Sequence, residues 1–226
     1  MGATRSEPIA TTILRFVLRV LLAAVVCWAI WFSWFRDRGN PFAGTPLAGA
    51  SLDAAYFPMA VGDRWIYDSD QGDVVFQVVG KKPINGTECF ALQRTFLGED
   101  VNYYVQVRRD GAYLHQVGDQ RVLPPFRQFA FPSRGQDAWN WRGSIGDIPN
   151  EFDSMNRGLQ PVRVPLGTWQ AFRVRQTAAT ASDFWLVRGV GVARLTGIME
   201  DPRNPSEDLQ FDWRLKQSTR RPSVSP

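Results

Sequence analysis

Hydrophobic and polar positions along this 226-residue chain follow two regimes that meet near residue 36. Residues 13–35 (ILRFVLRVLLAAVVCWAIWFSWF) are apolar almost without interruption, with no charge between residues 20 and 35. As a helix rising about 1.5 Å per residue, this run reaches roughly 35 Å, enough to cross a hydrocarbon core of about 30 Å. The pattern predicts a single transmembrane helix. Arg15 and Arg19 lie four apart on its first half, sharing a face from which their long stems can reach the headgroups. The far end carries Trp28, Trp31, Trp34 and Phe35, an aromatic belt suited to the membrane–water boundary. A cleaved signal has a shorter apolar region followed by small residues; here bulky aromatics follow. Val26 before Cys27 argues against a lipoprotein leader, which needs a small residue there. An uncleaved anchor fits best.

Beyond residue 51 the period becomes two, the signature of half-buried strands. Alternation predicts strands over 64–68, 74–81, 87–96, 101–108, 112–117, 159–164, 169–177, 183–188, 192–196 and 209–216. Asn85-Gly86 and Asp110-Gly111 mark hairpin turns. A two-residue loop at 110–111 places Arg109 opposite Ala112, Val107 opposite Leu114 and Gln106 opposite His115, so His115 is expected on the polar face. In 87–96, Phe90, Leu92 and Phe96 share one face and Arg94 breaks it. Gly189-Val190-Gly191 suggests a bulge or a close backbone approach. Residues 123–156, rich in Gly, Pro and Asp, read as irregular. Their aromatics Phe126, Phe129, Phe131, Trp139 and Trp141 either plug an open end or edge of the sheet or form a contact surface for an apolar ligand or partner.

No helical period of useful length occurs outside the anchor. The expected fold is therefore mainly β: one N-terminal transmembrane helix, then nine or ten antiparallel strands in a curved sheet, half-barrel or barrel. The chain divides into a flexible head (1–12), the transmembrane helix (13–35), a Gly/Pro/Ala-rich linker (36–50), a β domain (51–217) and a flexible tail (218–226).

Charge refines the location and excludes some functions. Arg5, Arg15 and Arg19 precede or open the anchor, against Arg36 and Arg38 after it. This bias places the N-terminus in the cytoplasm and the domain in the periplasm. The net charge of +4 and pI near 9.4 owe much to those flanking arginines. In the folded part the basic residues are dispersed among acids, so no nucleic-acid-binding stripe forms. The two cysteines, Cys27 in the anchor and Cys89 in the domain, do not pair, and Cys89 reads as a buried apolar residue.

Candidate chemistry is sparse. A single histidine excludes a His cluster or HExxH motif, and no G-x-S-x-G occurs. Cys89 with His115 would make a thiolate pair only if the fold joined them. Glu88, Glu99, Asp100, Glu151 and Asp153 fall mostly at predicted turns. Asp68, Asp70 and Asp73 around Gly72 lack the spacing of a calcium loop. Residues 189–193 (GVGVA) lead into no helix and carry no Lys-Ser/Thr, so they are not a phosphate loop. No catalytic, cofactor or metal residues are assigned.

Three segments together carry a resemblance: YFPMAVGDRWIY (56–67), VPLGTWQAFRVR (164–175) and FWLVRGVGVARL (184–195). The combination resembles a broad group of bacterial envelope β-domain proteins, similar to the lipoprotein-carrier (LolA/LolB-like) half-barrels. The resemblance implies a curved antiparallel sheet and an envelope location, with Gly62 and Gly167 in turns and Trp65, Trp169 and Trp185 as packing groups; it implies no activity. Many such proteins are lipoproteins or carry cleaved signals, and the uncleaved anchor departs from that.

Two functions follow as expectations. The first is a membrane-anchored, non-enzymatic binding or scaffold domain that contacts an envelope protein or serves as a subunit of a membrane complex. The second is a lipid or apolar-ligand binding half-barrel. A permanent tether favours the fixed scaffold over a shuttle.

Overall fold

The computed structural model describes residues 50–201 and 204–221. The expected anchor, with its interfacial Trp28, Trp31, Trp34 and Phe35, lies outside them. Among the described residues no helix is long and apolar enough to cross a membrane. After a 3-10 turn (Ala54–Tyr56) come β1 (Arg64–Asp68), β2 (Val74–Ile84), β3 (Thr87–Phe96), β4 (Glu99–Arg108), β5 (Gly111–Val117) and β6 (Gln120–Ala130). Then follow β7 (Ala138–Ile145), β8 (Ile148–Val164), β9 (Gly167–Thr177), β10 (Ala181–Val187), β11 (Gly191–Asp201) and β12 (Asn204–Ser218). Each strand pairs with the next, and β12 returns to β1, so the twelve strands form a closed up-and-down barrel. Apart from Arg94 on β3, the described side chains that line the barrel interior are uncharged. A membrane pore has the reverse arrangement.

The hairpins explain both agreement and disagreement with the sequence. Asn85 (φ 49) and Gly86 (φ 77) supply the two positive φ values of the tight turn between β2 and β3. The β3–β4 turn uses the same geometry at Leu97 (φ 52) and Gly98 (φ 82), although leucine is not a turn-forming residue. Leu97 pays back its backbone strain by packing on the buried cluster around Trp213. The β4–β5 register differs from expectation. The loop is Arg109-Asp110, so Arg108 faces Gly111, Val107 faces Ala112 and Gln106 faces Tyr113. A bulge then sets Tyr104 against Gln116 and leaves His115 outside the pairing. His115 is consequently buried, at 8% exposure, rather than sharing a polar face with Gln106.

The expected irregular region, 123–156, is instead β6, β7 and the first half of β8. This is why the strand count is twelve rather than nine or ten. Pro124 and Pro125 cannot donate to a ladder, and β6 meets β7 only at Val122–Ile145 and Leu123–Ser144. Side chains take over where that ladder stops. The indole of Trp141 donates to Pro124 O at 2.9 Å and that of Trp139 to Arg127 O at 2.9 Å. The Gln176 amide donates to Gln128 O at 2.6 Å. Satisfied carbonyls keep this weak seam shut.

Closure at the other seam pairs Trp65, Ile66, Tyr67 and Asp68 with Ser218, Gln217, Leu215 and Arg214. It extends to Thr219, whose N–H donates to Arg64 O at 3.0 Å. Trp65 locks it: its indole donates to Val190 O at 2.7 Å, and Gly191 (φ +102) packs against the ring. Tyr67 donates likewise to Val192 O at 2.7 Å. The Gly-Val-Gly segment is thus a close backbone approach, as the sequence suggests. On the outer face, Trp185 opposes Arg173 on one side and Arg194 on the other, with the guanidinium carbons 5.2 and 5.0 Å from its ring. Both arginines also hold Asp183 and Asp212 in two-bond pairs.

Trp65→Phe should keep the packing and lose the indole bond, costing about 1–3 kcal/mol because Val190 O is left unpaired in a buried site. Trp65→Ala should cost about 3–5 kcal/mol through the added cavity. Urea unfolding followed by circular dichroism measures both, and a Trp65→Phe variant as stable as the native protein would show that the hydrogen bond contributes nothing.

Candidate ligand site in the barrel lumen

Residues 50–59 re-enter the barrel and fill one part of it. Leu52 bridges Ser133, and Leu52, Tyr56 and Phe57 join a buried cluster with Phe126, Phe129, Phe172 and Phe184. A second cluster gathers Trp65, Tyr67, Phe96, Trp213 and Leu215. Between the two clusters remains a cavity of about 300 Å³. This unfilled space follows from the strand number. About eight strands give an interior that side chains can just fill or that holds one small ligand, whereas sixteen or more leave a channel; twelve fall between.

Inward positions of nine strands and residues 57–59 line the cavity. One wall is aromatic: Trp213 packs on Phe76, Phe96 and Phe211, with ring centroids 5.9, 5.5 and 4.5 Å apart. The opposite wall holds Leu114, Phe129 and Phe184. Met199 and Phe211, inward yet only half-buried, mark where the lumen reaches solvent. Burial pushes the Tyr67 phenol well up, and it pushes the Tyr103 phenol up as well, against the opposing pull of the Arg94 charge.

Arg94 is the one charged side chain in the lining among the described residues. It is 9% exposed, its Nε is buried without a hydrogen-bond partner, and no described carboxylate pairs with it. Its guanidinium carbon lies 5.9 Å from the rings of both Tyr103 and Trp213, at the outer edge of cation–π range. Such contacts give about 0.5–2 kcal/mol, against several kcal/mol to strip water from a buried charge. The rings therefore do not account for Arg94 by themselves. The indole Nε1 of Trp213 is a second buried donor without an acceptor.

The aromatics singled out in the sequence lie elsewhere. Phe126, Phe129, Phe131 and Trp141 are buried and Trp139 is half-buried. Of these five, only Phe129 borders the lumen. The structure joins Phe126, Trp141 and Phe152 into one stack, with centroids 4.8–5.7 Å apart. Cys89 and His115 are not joined: the thiol contacts Thr87 O at 3.6 Å, and burial pushes it up to about 11, far from a reactive thiolate. Asp68 and Asp73 turn to Arg214 and Lys216, and Glu88 and Glu151 to Lys81 and Arg142. Arg94 is the residue that sequence reading left unassigned; its signal was the break in the Phe90–Leu92–Phe96 face.

No protein-family model matches the chain, and no curated protein matches it. Among solved structures, it is similar to a Bacteroides fragilis protein described as exported, with a YmcC-like fold. The identity is 12%, the TM-score is 0.44, and the match covers 72% of this chain and 98% of that one. It is also similar to a protein described as a lipoprotein from Parabacteroides distasonis, at 13% identity and a TM-score of 0.35, covering 73% of this chain and 98% of that one.

Burial, and secondarily the charge of Arg108, hold the His115 imidazole below its ordinary value of 6.5. The unfolded chain therefore binds the proton first as pH falls, so this group's contribution to stability drops below about pH 6.5. Melting temperatures measured near pH 7.5 and pH 5.5 should fall further for the native protein than for His115→Gln. An equal fall would exclude His115 as the source.

Proposed function

We propose that the domain is a non-enzymatic binding module that holds an apolar small molecule in the barrel lumen while its anchor keeps it at a membrane. The observation that carries this is the cavity of about 300 Å³ in the lumen, lined almost wholly by apolar side chains. Ligand pockets of roughly 300–1,000 Å³ with few polar groups are the usual form of small-molecule sites.

Location comes from the sequence: residues 13–35 as a single-pass anchor, the N-terminus cytoplasmic and the domain periplasmic. The reading assigns no catalysis, no cofactor and no nucleic-acid partner. A tethered barrel acts as a fixed receptor or exchange site for its own membrane rather than as a shuttle. The scaffold alternative keeps the same anchor, but of the five aromatics invoked for it Phe126, Phe129, Phe131 and Trp141 are buried and only Trp139 is half-exposed.

Full-length protein purified from membranes and extracted with organic solvent should yield a co-purifying amphiphile by mass spectrometry. Leu92→Trp, which fills the lumen from β3, should lose most of it at an unchanged melting temperature. Recovery of none from the native protein, or equal recovery from both, would overturn the reading. Stoichiometric cross-linking to a membrane protein that survives Leu92→Trp would favour the scaffold instead.

A further inference from the structure

We propose that Arg94 receives the anionic head of a single-chain amphiphile whose tail lies along the lumen. This rests on the lumen being a ligand site and names the class of molecule it takes.

Four observations converge. Arg94 sits on the inward face of β3, more than nine-tenths buried, in the lining of the cavity. Its Nε has no hydrogen-bond partner, and neither does the buried Nε1 of Trp213. The guanidinium stands 5.9 Å from the Trp213 ring, so the two donors without acceptors occupy one region of the wall. Among the described residues, no Asp or Glu lines the cavity. Two buried donors, one of them charged, lack an acceptor, and an acceptor-only anion from outside the chain would satisfy both. A planar guanidinium suits a carboxylate or a phosphate head equally.

The rest of the cavity selects the tail. Its other lining is overwhelmingly aromatic and aliphatic, from Phe76 and Phe211 to Leu195 and Met199, and offers little to a second polar group. A volume of about 300 Å³ corresponds to about ten waters' share of liquid, and a methylene takes up much the same space. One chain of about ten carbons takes up this volume.

The test uses full-length protein in phosphatidylcholine nanodiscs and a decanoic acid carrying a diazirine in its tail. Irradiation should label peptides of the lumen wall. Unlabelled decanoate and decyl phosphate should both protect, and about tenfold or more of the uncharged decanol should be needed for the same protection. Arg94→Met should abolish that preference while leaving protection by decanol unchanged. In the absence of added amphiphile, Arg94→Met should melt at or above the native temperature, because it removes an unpaired buried charge; a clear fall would make Arg94 a structural residue and overturn the proposal. Arg94→Lys should retain part of the preference for charged heads.

Equal protection by decanoate and decanol in the native protein would overturn head recognition and leave the lumen reading standing. Labelling confined to lipid-facing or outer peptides would overturn both. Protection by inorganic phosphate alone would indicate a free-anion site and overturn the amphiphile assignment.

Discussion

Pairing of β1 with β12 is the constraint on which the rest of this structure depends. A twelve-strand meander left open would expose two edges, each a row of unpaired N–H and C=O groups. Only four residues of β1 reach β12, a short ladder for so large a sheet. The Trp65 and Tyr67 side chains reinforce it by reaching past the seam to main-chain carbonyls of Val190 and Val192. The second weak seam, β6–β7, is handled the same way with Trp139 and Trp141. At both places an aromatic side chain donates where the backbone cannot, so large apolar groups hold the ladder and fill the core at once.

Closure then fixes what the interior can be. Once twelve strands meet in a ring, the inward side chains set a perimeter larger than they can fill from the walls alone. Residues 50–59 occupy part of the difference. The remainder is the lumen, and its position between two separately packed clusters means that neither relies on the space for its own packing.

The sequence made strands legible wherever one face was buried and one solvated, as in β3, β4 and β12, because alternation there has one interpretation. Asn85-Gly86 announced its turn; Leu97-Gly98 did not, since packing of Leu97 overrides its turn preference. β6 to β8 were hidden by Pro124, Pro125 and the Gly, Pro and Asp residues around Trp139 and Trp141. Prolines end ordinary strands, and nothing local reveals that indoles will replace their lost donors. His115 was misplaced by a bulge, a one-residue event without a sequence mark. The site was harder still: its walls come from nine strands and residues 57–59, and inward aromatics that line a cavity look the same in sequence as those that fill one. The single legible trace was Arg94, an arginine where alternation called for an apolar residue.

That trace separates two kinds of interior. A lumen that served only packing, or that took up any greasy molecule, would be better lined without a charge, since an apolar side chain of similar volume avoids the desolvation cost. Tail burial supplies affinity in proportion to apolar area and discriminates weakly, about one methylene at a time. A buried donor set discriminates strongly, because a molecule lacking the matching acceptor leaves it unpaired. Under the proposed function, one arginine and one unpartnered indole in an otherwise apolar lining would divide the labour: the walls would retain the molecule, and Arg94 would decide which molecules are retained.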